Sequence, residues 1–277
     1  MKKLIPAISL LAVAAVLMVA STYAWFSMSS QVNASGMQVQ ATVDSNLLIS
    51  EKTESNTTNS GAAVDAETGK LSDGNTSSDV NMDGSSKLRP TSSLNGSKWF
   101  SATAASLSDY AAKYGTYAQI EEEELDNYRL KTEFYIQRYN PESTLESGSG
   151  NLVIDSITVS NKDTLGKSFR VMLVCGSNVV ICGPTDANEP TNKAVSSISS
   201  GIATSTKPNY ATVDSVSANG VATISANNLL VSDVVDNEVY TVQVYIYFDG
   251  EDAACKTDNV PASLADYGVT LSFSIAE

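Results

Sequence analysis

The chain has 277 residues, 31 acidic against 17 basic side chains, a formal net charge of −14, three cysteines and no histidine. That length suits one large domain or two small ones. The charge argues against a nucleic-acid partner, whose phosphates demand Lys and Arg. The missing histidine removes Ser/His/Asp and Cys/His triads, the usual zinc ligand and the usual pH switch.

Lys2 and Lys3 precede an apolar run, "LIPAISLLAVAAVLMVA", from Leu4 to Ala20. A stable membrane span needs about 20 residues, and this run is shorter. Thr22 and Ala24 are small, as a signal peptidase requires, and no basic stop-transfer cluster follows. Residues 1–24 therefore read as a secretory signal cleaved after Ala24, with a retained membrane anchor as the alternative. Cleavage takes away Lys2 and Lys3, moves the net charge from −14 to −16 and leaves a secreted chain with no membrane segment.

The mature chain then starts at Trp25 and Phe26. Behind them Met37, Val39 and Ala41 alternate with Gln38, Gln40 and Thr42, the period of a half-buried strand. Aromatics at a free N-terminus are costly to leave in water. They call for a groove, in the same molecule or in a neighbour.

Residues 50–98 shift to Ser, Thr, Asn, Gly and Asp and read as a long, irregular, poorly packed insertion in a single domain spanning 25–277. Within it Asp79, Asn81, Asp83 and Gly84 match the opening of a calcium-binding loop. The ninth and twelfth positions, Lys87 and Pro90, do not. Calcium is the one cofactor the sequence suggests, against a solvated turn rich in Asp and Asn. A short helix is expected around Ser106 to Tyr114, ended by Gly115. The acidic run Glu121 to Glu124 reads as a solvated face or the approach to a strand.

From Asn127 onward the chain is β-rich. "YRLKTEFYIQRY" places Tyr128, Leu130, Thr132, Phe134 and Ile136 on one face. "FRVMLVCGSNVVICG" reads as a hairpin turning at Gly176, Ser177 and Asn178. "EVYTVQVYIYFDG" puts Tyr240, Val242, Val244, Ile246 and Phe248 toward a core. "GVTLSFSIAE" does the same with Val269, Leu271, Phe273 and Ile275. Seven to nine strands with no regular helices between them predict an all-β, antiparallel sandwich. In that hairpin Cys182 falls opposite about Met172, three rungs from Cys175, too far for a disulfide. Cys255 is left to pair with one of them or to remain a thiol.

The stretches "TYAWFS" and "ASGMQVQA", Thr22 to Ser27 and Ala34 to Ala41, resemble the N-terminal layout of secreted biofilm-matrix fibre proteins of the TasA and camelysin kind. "LRPTSS", "FRVMLV", "VYIYFDGEDAAC" and "VTLSFS" are similar to a broad group of secreted proteins from Gram-positive anaerobes. The resemblance implies a jelly-roll domain, a dedicated signal peptidase, and polymerisation by donor-strand complementation. In that scheme the strand led by Trp25 and Phe26 and carrying Met37, Val39 and Ala41 joins the sheet of the next copy. The expected function is an extracellular structural protein whose partners are copies of itself. The alternative is a surface adhesin or carbohydrate-binding module for cell-wall or host glycans, using Tyr135, Tyr139, Tyr245 and Tyr247 on outward faces. A third reading, hydrolysis by Asp249, Glu251 and Asp252, rests only on acids close together in one loop.

Overall fold

Period-two alternation of Val, Ile, Leu, Phe and Tyr gives this chain strands rather than helices. The computed structural model describes residues 32–43, 47–53, 57–58, 61–93, 95–102, 117–142, 150–159, 168–183, 194–199, 202–206, 212–216, 221–226, 228–250, 255, 263–265 and 267–276. In chain order the strands are β1 Val32–Val43, β2 Leu47–Glu51, β3 Thr57–Thr58, β4 Gly61–Ala62, β5 Ser77–Leu88, β6 Phe100–Ala102, β7 Tyr117–Gln119, β8 Arg129–Arg138 and β9 Asn151–Val159. They continue with β10 Phe169–Cys175, β11 Asn178–Cys182, β12 Ala194–Ser199, β13 Ile202–Thr206, β14 Thr212–Val216, β15 Val221–Ala226, β16 Leu229–Val231, β17 Val239–Phe248 and β18 Gly268–Ala276. A 3₁₀ helix, Glu122–Asn127, carries most of the acidic run. The expected helix around Ser106 to Tyr114 lies outside the described residues.

Two sheets form an all-β sandwich. One runs β14-β15-β9-β18-β1-β5, with β16 also pairing β9, and the other runs β11-β10-β17-β8-β2. Pairing is antiparallel throughout both sheets, except that β1 lies parallel to β18. Their inner faces interlock: Met37, Val39, Ala41, Leu271 and Phe273 from the first sheet meet Ile49, Phe134, Ile136, Val242 and Val244 from the second. The alternation read from β17 and β18 holds, with Val242, Val244, Ile246, Phe248, Val269, Leu271 and Phe273 all buried, while Tyr240 and Ile275 pack at its margin. Each large side chain buried this way contributes about 1.5–3 kcal/mol.

The expectation for residues 50–98 is corrected. Ser77–Leu88 forms a twelve-residue strand on the edge of the first sheet, antiparallel to β1, with Val80, Met82 and Leu88 turned into the core. An edge strand has one paired side and is long on polar residues, so composition disguises it. Ahead of it, Thr57 and residues 61–72 lie over the outer face of the second sheet, against Tyr135 and Gln137. The Gln137 side chain ties the 61–72 segment down. It accepts from the Leu71 N–H at 2.7 Å and donates to the carbonyls of Gly69 and Asn237 at 2.8 and 2.9 Å. A buried amide is tolerable only when satisfied in this way.

The β10–β11 hairpin is tighter than expected. Gly176 and Ser177 alone make the turn, Gly176 at φ +58°, so Cys175 pairs with Asn178 and Cys182 lies opposite Val171. The one-residue shift moves the register by one rung. All three cysteines are buried thiols within the main core. Burial pushes the Cys175 thiol up to about 11 and the Cys182 thiol up to about 12.

Candidate functional site

The strand singled out for assembly, β1, sits one strand in from the edge of its sheet. Met37, Val39 and Ala41 are each 0 % exposed. On one side β1 runs parallel to β18, from Gln38 opposite Gly268 to Val43 opposite Phe273. On the other it runs antiparallel to β5, from Val32 opposite Leu88 to Thr42 opposite Ser77, with register shifts around Ser35. Thr42 Oγ1 donates to the Leu271 carbonyl at 3.3 Å, which reinforces the parallel register. Pairing with β18 begins only at Gln38. Over Val32 to Met37 the described strands therefore pair β1 on one side alone. Trp25 and Phe26 lie outside the described residues.

Asp79, Asn81 and Asp83 fall within β5, opposite Gln40, Gln38 and Ser35. A calcium loop has to coil round its ion. These residues are instead in extended backbone, where alternate positions lie about 6.6 Å apart along the strand. The calcium-loop expectation is corrected on that ground.

The outward tyrosines are corrected too. Tyr135, Tyr245 and Tyr247 are buried and Tyr139 is half-buried. Tyr135 Oη lies 3.1 Å from Thr57 Oγ1, which covers it. Tyr245 and Tyr247 lie under Trp99, with ring centroids 5.4 and 5.0 Å from it, in a second cluster that includes Ile120, Leu125, Met172, Val174 and Ile181. These three rings offer no open stacking platform. Asp249, one of the three acids read as clustered in one loop, is turned inward beside Arg170, with Nε and Oδ2 3.7 Å apart and both side chains almost wholly buried. Glu251 and Asp252 lie outside the described residues.

Beside the Trp99 cluster the outer face of the second sheet opens into a cleft of about 790 Å³. Its floor is β8 and β17, through Arg129, Lys131, Gln243 and Tyr245; its rim includes Asn95, Gly96, Glu121, Glu122 and the Gly176–Ser177 turn. Trp99 is fixed by donating Nε1–H to the Gly96 carbonyl at 2.8 Å. Gly96 takes φ +74°, and a Cβ there would come 2.9 Å from Tyr245 Cε2. The Arg129 guanidinium lies over both rings, 4.8 Å from the Tyr245 centroid and 5.5 Å from that of Trp99. Burial lowers its pKa.

Next to Arg129 the polar groups are already committed. Glu133 takes Lys52 Nζ at 2.6 Å, Lys131 Nζ at 2.9 Å and Gln243 Nε2 at 2.7 Å. Gln243 Oε1 accepts from Tyr245 Oη at 3.0 Å. Burial alone would raise the Glu133 carboxyl, but those three donors outweigh it and hold it down to about 2. Sequence reading missed Trp99 and Arg129. A lone Trp in a polar stretch and an Arg at a strand start carry no periodic signal.

Compared with known proteins, the chain matches no protein-family model, no curated protein and no solved structure.

Proposed function

We propose that this protein is a secreted structural subunit that assembles into extracellular filaments or matrix by donation of its N-terminal strand. The donated element is β1, led by Trp25 and Phe26. The observation that carries this reading is the place of β1: the first described strand fills a slot between β5 and β18, with Met37, Val39 and Ala41 wholly buried. A strand that fits a slot in its own molecule fits the same slot in a second copy, with the same contacts. Only residues 44–46 separate β1 from β2, which belongs to the other sheet. A short connection of this kind favours exchange between copies. Head-to-tail exchange does not close, so it propagates a fibre. Burying Trp25 and Phe26 in the neighbour removes about 150–250 Å² each from water. That is worth several kcal/mol before ordering costs, at about 25 cal/mol per Å².

Thr42→Cys with Ser272→Cys tests it, since the two positions are opposed across β1 and β18. Oxidised monomer should carry the new disulfide within one chain. Protein oxidised after assembly should give a ladder of linked chains on a non-reducing gel, with filaments visible by negative-stain microscopy. Deleting Trp25 to Ser30 should leave a folded monomer that forms no filaments. Assembly of that truncation as readily as of the intact protein, or no assembly of either, defeats the proposal.

A further inference from the structure

The cleft on the outer face of the second sheet has a charge arrangement that strand donation does not use. Its volume, about 790 Å³, lies within the roughly 300–1,000 Å³ of small-molecule sites. Lys131, Gln243 and Tyr245 are bound into the Glu133 network and held in place by it. Arg129 is different. Its guanidinium is positioned by two aromatic faces, and among the described residues its buried Nε has no hydrogen-bond partner. A desolvated guanidinium presents a planar fork of donors suited to a carboxylate. At the lip stand Glu121 and Glu122, both exposed, the second opening the 3₁₀ helix. They suit an ammonium group and disfavour a ligand that is only anionic. Asn95, Gly96 and Ser177 add amide, hydroxyl and backbone groups to the lining.

We propose that this cleft binds a small zwitterion, a free amino acid or a short peptide, with its carboxylate on Arg129 and its ammonium group toward Glu121 and Glu122. The site is independent of assembly: it lies on the sheet that does not contain β1.

Isothermal titration of the purified protein with alanyl-alanine, its C-terminal amide, its N-acetyl derivative and galacturonic acid tests the assignment, with tryptophan fluorescence as a second readout. Alanyl-alanine should bind saturably. Amidation should weaken it about tenfold, the scale of one lost charge-assisted pair. N-acetylation should weaken it severalfold, and galacturonic acid should bind more weakly than the dipeptide. Arg129→Gln should remove binding. Glu122→Gln, at an exposed position, should weaken the dipeptide severalfold, toward the affinity of its N-acetyl derivative, and leave the N-acetyl derivative's own affinity unchanged. No saturable binding of the dipeptide, binding indifferent to amidation, or galacturonic acid binding as tightly as the dipeptide would each overturn the proposal.

Discussion

Strand β17 has an inner face of Val242, Val244, Ile246 and Phe248 and an outer face of Gln243, Tyr245 and Tyr247, and the two are closed off by different means. The inner face meets the opposite sheet, with β1 and β18 supplying Met37, Val39, Leu271 and Phe273. The outer face is roofed by single side chains from irregular segments: Trp99 from the 95–99 turn, Ile120, and Leu125 from the 3₁₀ helix. Sheet packing gives a continuous apolar layer that is all-or-none. A roof made of a few anchors leaves room beside it, and that room is the cleft. That difference is why the cleft and the Glu133 ion-pair network lie on the outer side of this sheet.

The largest expected effect breaks the inner side. Phe273→Ala leaves a cavity between two sheets that cannot close independently, and should cost about 4 kcal/mol. Urea unfolding should show the whole molecule shifting in one transition, with far-UV and near-UV signals moving together. Next comes the roof. Trp99→Ala should cost less, about 3 kcal/mol, because the space it leaves borders the open cleft and water enters it. Near-UV dichroism from Tyr245 and Tyr247 should fall at conditions where the far-UV strand signal is unchanged. Equal, coincident losses in both variants would erase the distinction between layer and roof.

The smallest effect is set by acid. Glu133 titrates near 2 in the fold, against about 4.3 for an unfolded glutamate. Its contribution is therefore whole above about pH 4.5 and is lost as the pH falls toward 2. The pairs are partly exposed, so the amount is under about 1 kcal/mol. Thermal melts of the protein and Glu133→Gln should differ at pH 5 and converge only once the pH is below the folded value of about 2, at about pH 1.5. A gap that persists there would show that Glu133 acts by packing and not by charge.

The inner faces were readable from the sequence because their signal is local: in β17 and β18 each second residue is apolar, and nothing remote is needed to interpret it. The same rule failed on the outer face. Tyr245 and Tyr247 alternate with core residues and look solvated until Trp99, far off in sequence, is placed over them. It also failed for β5, where only Val80, Met82 and Leu88 report the core and the polar majority reads as loop. Asp249 misled for a related reason: its partner Arg170 is on another strand, and a buried ion pair has no local pattern. Of the candidate sites, the β1 alternation was legible and its parallel partner was not, since register between distant strands is written in neither of them separately.

That parallel partner has a kinetic meaning. Thr42 and Leu271 touch across 229 positions of chain, and β18 is the strand that joins β9 to β1. Until β18 has been made, the seven-stranded sheet exists as two unconnected halves, each with an open edge where β18 belongs. Contacts of such long sequence separation form slowly. Folding of this sheet therefore waits for the arrival of its last strand, and a chain lacking β18 would expose adhesive edges on both halves.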